Sequence, residues 1–397
     1  MDFFKLGVFY CAQLLLFCLP CVANNFQSGL KMTSMDPEEL DGLFSVMEAI
    51  IEDPTWRSNH PHPCTDDPWP GIDCEAIPDT NNIMHVTKLH IGLDYTAPCR
   101  KNATLSSAIL KLHYLKSLFI FNCFHSSNTT IPSQLIQLSP SLEQLVFRSN
   151  TALVGTIPPQ LSGLSKLRLL SLSQNDLEGS IPSELGKLEI LNHLDLSHNK
   201  LSGSIPQELG GLKSLSILDL SENNLQGPIP ASIGNMLLLE KIDLSYNNLS
   251  GKIPPDLGKL HNLCFLALSK NGFTGPFPST LGFLENLQYL MVERNPLKCT
   301  LPDFLGSLHK LSELILSSSG FVGIIPKSLC GLHNLSTLAL DNNRLNGSIP
   351  WEMRGLQHLF LLNLSDNMLS GEVPFSEEFV KRLGNELELK GNKDLCW

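Results

Sequence analysis

From Leu164 to Gly371 the apolar and polar positions follow one scheme, Leu-x-x-Leu-x-x-Leu-x-Leu-x-x-Asn-x-Leu-x-Gly-x-Ile-Pro, repeated every 24 residues. One turn of it reads Leu188, Leu191, Leu194, Leu196, Asn199, Leu201, Gly203, Ile205 and Pro206. New turns open at Leu164, Leu188, Leu212, Met236, Leu260, Leu284, Leu308, Leu332 and Leu356. Leu-x-Leu is a two-residue alternation, so each turn predicts one short strand with its leucines facing inward. Asn175, Asn199, Asn223, Asn247, Asn271, Asn295, Asn343 and Asn367 follow these strands, where the chain must bend. An amide there can satisfy backbone groups that the bend leaves bare. Gly allows the close approach that follows, and Pro at the Ile-Pro step forbids a continuing helix on the far side. This phase puts Leu218 and Leu244 inside and Ser221 outside. Gly227 should matter less than either leucine unless its φ is positive.

A repeat of this length and pattern is the leucine-rich repeat. It predicts an α/β solenoid: a right-handed superhelix with a parallel, concave β-sheet. One turn cannot fold alone. Ordering its 24 residues costs roughly 1–2 kcal/mol each, and a buried leucine returns only about 1.5–3 kcal/mol. Stacking closes that gap, so both ends of the array need caps. Asp36-Pro37-Glu38-Glu39 reads as a helix start, with a cap, a proline in the first turn and a carboxylate three residues on. Leu40, Leu43, Phe44, Met47, Ile50 and Ile51 then share one face, predicting a helical N-terminal cap.

The remaining segments divide the chain. Met1 to Ala23 reads as a secretory signal, with Lys5 before an apolar core and Cys21-Val22-Ala23 at the cleavage site. A cap is expected over 24–85, leucine-rich repeats over 86–374 in about twelve coils, and a C-terminal cap over 375–397. Three longer coils of 26 residues, opening at Val86, Leu112 and Leu138, precede the regular array. Ser376 to Leu383 predicts a closing helix and Glu386 to Leu389 a last strand.

Composition narrows the partners. A net charge of −11 argues against nucleic acid and anionic membrane surfaces. Serines follow the repeat consensus and histidines are scattered, so no catalytic constellation, cofactor site or metal site is expected. His60 and His62 flank a proline beside Cys64, a weak metal pattern that a solvated loop explains better. Glycine-rich turns recur at the repeat period and are not phosphate loops.

The order Trp56…Pro63-Cys64…Trp69-x-Gly71-Ile72-x-Cys74 resembles the N-terminal cap of plant extracellular leucine-rich-repeat proteins. Leu118 to Phe124, Leu142 to Asn150 and Lys381 to Gly384 resemble the kinase-less plant receptor-like proteins grouped with Too Many Mouths, receptor-like protein 29 and Piriformospora indica-insensitive protein 2. The resemblance implies recognition of an extracellular peptide or a receptor-kinase ectodomain at the plant cell surface, in development, defence or microbe perception. Gly391 to Cys396 resembles the start of that family's C-terminal cap, which continues to a second cysteine and often to an anchor. Membrane contact is thus expected only through a partner or a missing C-terminal anchor. The competing reading is a secreted inhibitor of a cell-wall-degrading enzyme, similar to polygalacturonase-inhibiting proteins.

Cys99 and Cys123 stand one coil apart and are paired, as are Cys64 and Cys74 inside the cap, which an exported protein permits. Cys264, Cys299 and Cys330 lie 35 and 31 residues apart, out of phase with the coil. They are expected to remain thiols that act as small buried residues.

Ligand-contact candidates are outward positions of the strands. Asp195, Asp219 and Asp243 form an acidic column, although Leu-Asp-Leu-Ser is also simply the consensus. The next coils depart from it with Ala267, Met291, Ile315 and Ala339, beside Phe265 and Tyr289. Phe265, Tyr289, Met291 and Ile315 are read as an apolar patch. Phe119 and Phe121 make a second cluster near the cap. Glycosylation sequons stand at Asn102, Asn128, Asn248, Asn334, Asn346 and Asn363. Asn363 shares the column of Met291 and Ile315, so a glycan there would confine a large partner to the coils from Leu188 to Leu308.

Overall fold

The computed structural model describes residues 33–78, 83–92 and 97–396; the expected secretory signal lies outside them. From Ser34 onward the chain is one compact unit. The coil opening at Leu212 shows how each repeat folds. Its strand Ile217–Asp219 buries Leu218 completely, and Leu220 beyond it as well. Glu222 then turns left-handed at φ 54, Asn223 follows, and a second strand spans Asn224–Gly227. Pro230, extended at φ −68 and ψ 139, precedes a single turn of 3₁₀ helix, Ala231–Asn235. The Ile-Pro step therefore starts a short helix where the pattern predicted none. A proline lacks only an N–H that a helix start would leave bare, so it is tolerated at that boundary.

The first strands of successive coils pair in parallel and in register. Leu170, Leu194, Leu218, Ile242, Leu266, Leu290, Leu314, Leu338 and Leu362 stand side by side at 24-residue steps. The N-terminal coils do not share one 26-residue length. Leu89 registers on Leu118, Leu118 on Leu145 and Leu145 on Leu170, steps of 29, 27 and 25 residues. Val86 corresponds to Leu115, not to Leu112, and one extra residue sits between Leu138 and Leu142.

The second strands form sheets that the pattern did not predict. One of six strands runs from Val154–Gly155 to Gly272–Phe273, and one of four from Val322–Gly323 to Asp394–Cys396. They are interrupted where Pro296 removes an N–H and Cys299 replaces the column's glycine. Gly227 belongs to this column at φ 77, so the condition for its importance is met. A Cβ there would meet only Ser204 Cβ, at 3.8 Å, yet the left-handed backbone resists it. Gly227→Ala is expected to cost about 1–2 kcal/mol by denaturant unfolding. A loss indistinguishable from zero would remove backbone strain as the reason for this column.

Both ends are covered. The helix Pro37–Ile50 is capped by Asp36, whose Oδ1 accepts from Glu38 N and Glu39 N. Glu39 does not close a reciprocal capping box. It turns inward, accepting from Val86 N at 2.8 Å and meeting His85 Nδ1 at 2.6 Å. Burial raises the Glu39 pKa against the opposing pull of these two partners. Trp56 is buried edge-on against Phe44 and Trp69. Cys64–Cys74 and Cys99–Cys123 are disulfides with Cα atoms 5.5 and 5.1 Å apart, inside the usual range. At the other end the helix Glu377–Leu383 stacks Phe379 on Phe375, and Leu387–Glu388 extends the long sheet.

Cys264, Cys299 and Cys330 remain thiols. Only Cys330 is a buried filler, its pKa pushed up to about 11 by burial. Cys299 is half-buried on the flank, and Cys264, at the edge of the long sheet, donates from Sγ to Glu240 O at 3.2 Å. Cys330 takes the buried position in the short helix Lys327–Gly331 that is Gly210, Gly234 and Gly258 in other coils, whereas Cys264 precedes the strand Phe265–Ala267.

Candidate functional site

The outward middle residues of the long sheet form one continuous row. Phe119, Val146, Ser171, Asp195, Asp219, Asp243, Ala267, Met291, Ile315, Ala339 and Asn363 follow one another in register. Strands at about 4.8 Å spacing bring each side chain against the next. Facing outward therefore does not guarantee exposure.

The acidic part is internally bonded. Asp195 Oδ1 accepts from Ser197 N and Oγ, and its Oδ2 accepts from Ser171 Oγ. Asp219 Oδ1 accepts from Ser221 N and, at 2.6 Å, Ser221 Oγ, while Oδ2 pairs with Lys241 Nζ at 2.9 Å. Ser221 is consequently buried by this bond and not exposed as its phase suggested. Asp243 Oδ1 accepts from Ser245 N. The consensus Asp thus holds the strand end, which gives this column a local structural role.

These neighbours set the charge balance. Burial opposes ionisation of Asp195, but hydrogen bonds led by Ser197 outweigh it and hold its pKa below the ordinary value. Burial also opposes the charge on Lys241, and Asp219 and Asp243 override it, raising that pKa. Burial, then the adjacent Asp219 carboxylate, pushes Asp243 up to about 6. A carboxyl raised on folding favours the native state as pH falls through its folded pKa, and that gain disappears as pH rises. Acidification from pH 7 to 5 should therefore add about 1 kcal/mol through this group. Asp243→Asn should abolish that increment in melts at the two pH values. An unchanged increment would rule out Asp243 as its source.

The apolar candidates separate into two kinds. Phe265 and Ile315 are only 6% and 3% exposed, so they cannot serve as open contact surface. The Phe265 ring lies 5.7 Å from Tyr289 and 5.3 Å from Lys241 Nζ, and these neighbours cover it. Tyr289 and Met291 stay half-exposed in adjoining columns. They form the accessible apolar surface of this region.

Phe119 and Phe121 lie on the sheet, both half-exposed. His90 stacks on Phe119 with ring centroids 3.9 Å apart. Its Nε2 meets Ser117 Oγ at 2.7 Å, and Ser117 Oγ donates to Gln144 Oε1 at 3.1 Å. Burial lowers the His90 pKa to about 4, leaving the imidazole neutral near pH 7. Sequence reading missed this relay because the insertions hide the strand register there. Asn102, Asn128, Asn248, Asn334 and Asn346 are exposed; Asn363 is half-buried, its Oδ1 accepting from Ser365 N and Oγ. His60, in the suggested metal pattern, bonds to Asp67 O.

Leucine rich repeat models match residues 179–225 and 309–369, and 166–188 and 238–260. Together with the parallel sheet and its asparagine ladder, these matches define the class of fold: a leucine-rich-repeat solenoid. It is 48% identical over 145 residues to Receptor like protein 29 of Arabidopsis thaliana, covering 36% of this chain and 31% of that protein. Piriformospora indica-insensitive protein 2 of the same plant is 34% identical over 146 residues, covering 36% and 34%. The matched stretch thus spans about a third of each relative. Among solved structures, PEPR1–AtPEP1 aligns with a TM-score of 0.75 at 32% identity, over 88% of this chain and 48% of that one. The plant peptide hormone receptor RGFR1 in complex with RGF2 aligns at 0.53 and 27%, over 74% and 53%. No helix among the described residues is long and apolar enough to cross a membrane.

Proposed function

We propose that this chain is an extracellular recognition protein of the plant cell surface. It binds a peptide on the concave sheet and signals through a receptor-kinase partner. The observation that carries this reading is the half-exposed pair Tyr289 and Met291, set beside an acidic stretch on the open sheet. The peptide hormone receptor among the structural neighbours supports it. An aromatic anchor at the centre of an interface commonly contributes about 2 kcal/mol or more.

The test is crosslinking of the secreted, tagged chain to plant membranes. Tyr289→Ala and Met291→Ala should each reduce the captured partner at least about tenfold, whereas Asn363→Gln should leave capture unchanged or increase it. Equal capture by wild type and both patch variants would refute the site. A partner footprint covering an unglycosylated Asn363 would refute the direction of approach.

A further inference from the structure

Two half-exposed apolar patches lie on the same face, Phe119, Phe121 and Val146 towards the N-terminus and Tyr289 with Met291 beyond. Between them the three coils opening at Leu188, Leu212 and Met236 present Asp195, Asp219, Glu222, Glu240 and Asp243. Lys241 lies among them, Lys270 of the next coil stands against Tyr246, and His193 and His198, the latter 3.5 Å from Glu222, are the other titratable groups on this stretch. Arg148, exposed on the strand of Val146 and in register with Phe121, reverses the sign at the first patch. Complementary positive charge on a ligand therefore belongs at its centre and not at that end.

Resting on the recognition reading above, we infer that the natural ligand is one extended peptide with a basic centre and an aromatic or apolar side chain at each end. The two patches set its length. Phe119 and Met291 are seven strand steps apart in the row, about 34 Å at the usual strand spacing. An extended chain advances about 3.3–3.6 Å per residue, so about ten residues or more are needed to reach both. A shorter peptide can occupy one patch only.

The probe is a fluorescent synthetic peptide with Phe at positions 1 and 12, three lysines between them and Gly and Ser elsewhere. Anisotropy is read on the full secreted chain. Replacing the lysines by Glu, or shortening the peptide to seven residues with both Phe and all lysines kept, should weaken binding at least about tenfold. Phe119→Ala and Met291→Ala should each weaken the long peptide about tenfold and leave the short one within about twofold of each other's values. Because Phe119 stacks on His90, thermal melts accompany that variant and Phe121→Ala provides a second reading. Equal affinity of long and short peptides overturns the inference, as does failure of the long peptide to bind. If Met291→Ala weakens binding while Phe119→Ala and Phe121→Ala do not, the two-patch inference fails and the recognition reading stands. If none of these variants changes peptide binding or membrane capture, both fail.

Discussion

Replacing Asn223 by Leu should destabilise the protein by about 2–6 kcal/mol, more than most single substitutions. Its Nδ2 donates to Leu196 O in the preceding coil and to Leu220 O and Ser221 O in its own. Oδ1 accepts from Leu201 N at 3.0 Å. Leucine fits the volume but can make none of these bonds. At least one buried N–H and one buried C=O then lose a partner, at about 1–3 kcal/mol each. The same ladder begins at Asn150 and ends at Asn392. At position 319 the column carries Ser instead, and the structure shows why that substitution is tolerated. Ser319 Oγ donates to Val292 O, and Asn343 Oδ1 accepts from both Ser319 N and Phe321 N. Asn223→Ser should accordingly lose less than Asn223→Leu in urea unfolding. The ladder argument fails if the two lose the same.

Strict periodicity made most of the fold legible. Leucines at 24-residue intervals can be inside only if the coils stack in register, and the asparagine column needs the bend it follows. Three features escaped because they depend on stacking and not on local pattern. The second strands are too short to show alternation, and they become strands only by pairing with the next coil. Register in the first coils is set by insertions that a period search averages away. The left-handed residue before each position of the asparagine column carries no sequence label: Gln174, His198, Glu222, Tyr246, Lys270, Arg294, Ser318, Asn342 and Asp366 share only the absence of β-branching.

The candidate site was less legible for a related reason. Alternation told which residues face outward, but exposure depends on the width of the neighbours one strand away. Phe265 is covered because Tyr289 and Lys241 flank it, and Ile315 is likewise enclosed, whereas Met291 keeps an open side. Ser221 failed in the same way. Its hydroxyl is drawn to Asp219, so a position read as exposed became part of the strand-end bonding. The acidic column has two consequences at once: it secures each strand end and leaves a negative surface between the apolar patches. A substitution there tests both, and the Asp243 pH experiment separates stability from recognition.

Leu218→Ala should cost roughly 2–5 kcal/mol, through lost transfer energy and the cavity left behind. Leu218 has no exposed surface and stands between Leu194 and Ile242 in the registered row. Three coils share its contacts, so the cavity weakens two stacking interfaces. Solenoid stability is approximately the sum of coil and interface contributions, which localises the damage. Native-state hydrogen exchange should therefore show the largest loss of protection in the strands His193–Asp195, Ile217–Asp219 and Lys241–Asp243, and a smaller loss in Thr337–Ala339. Asn224→Ala, at an exposed position of the same coil, should secrete and exchange like wild type. Equal secretion and equal protection for Leu218→Ala and Asn224→Ala would show that the inward phase assigned to the leucines is wrong. Uniform loss along the array would instead show that the coils unfold as one cooperative block.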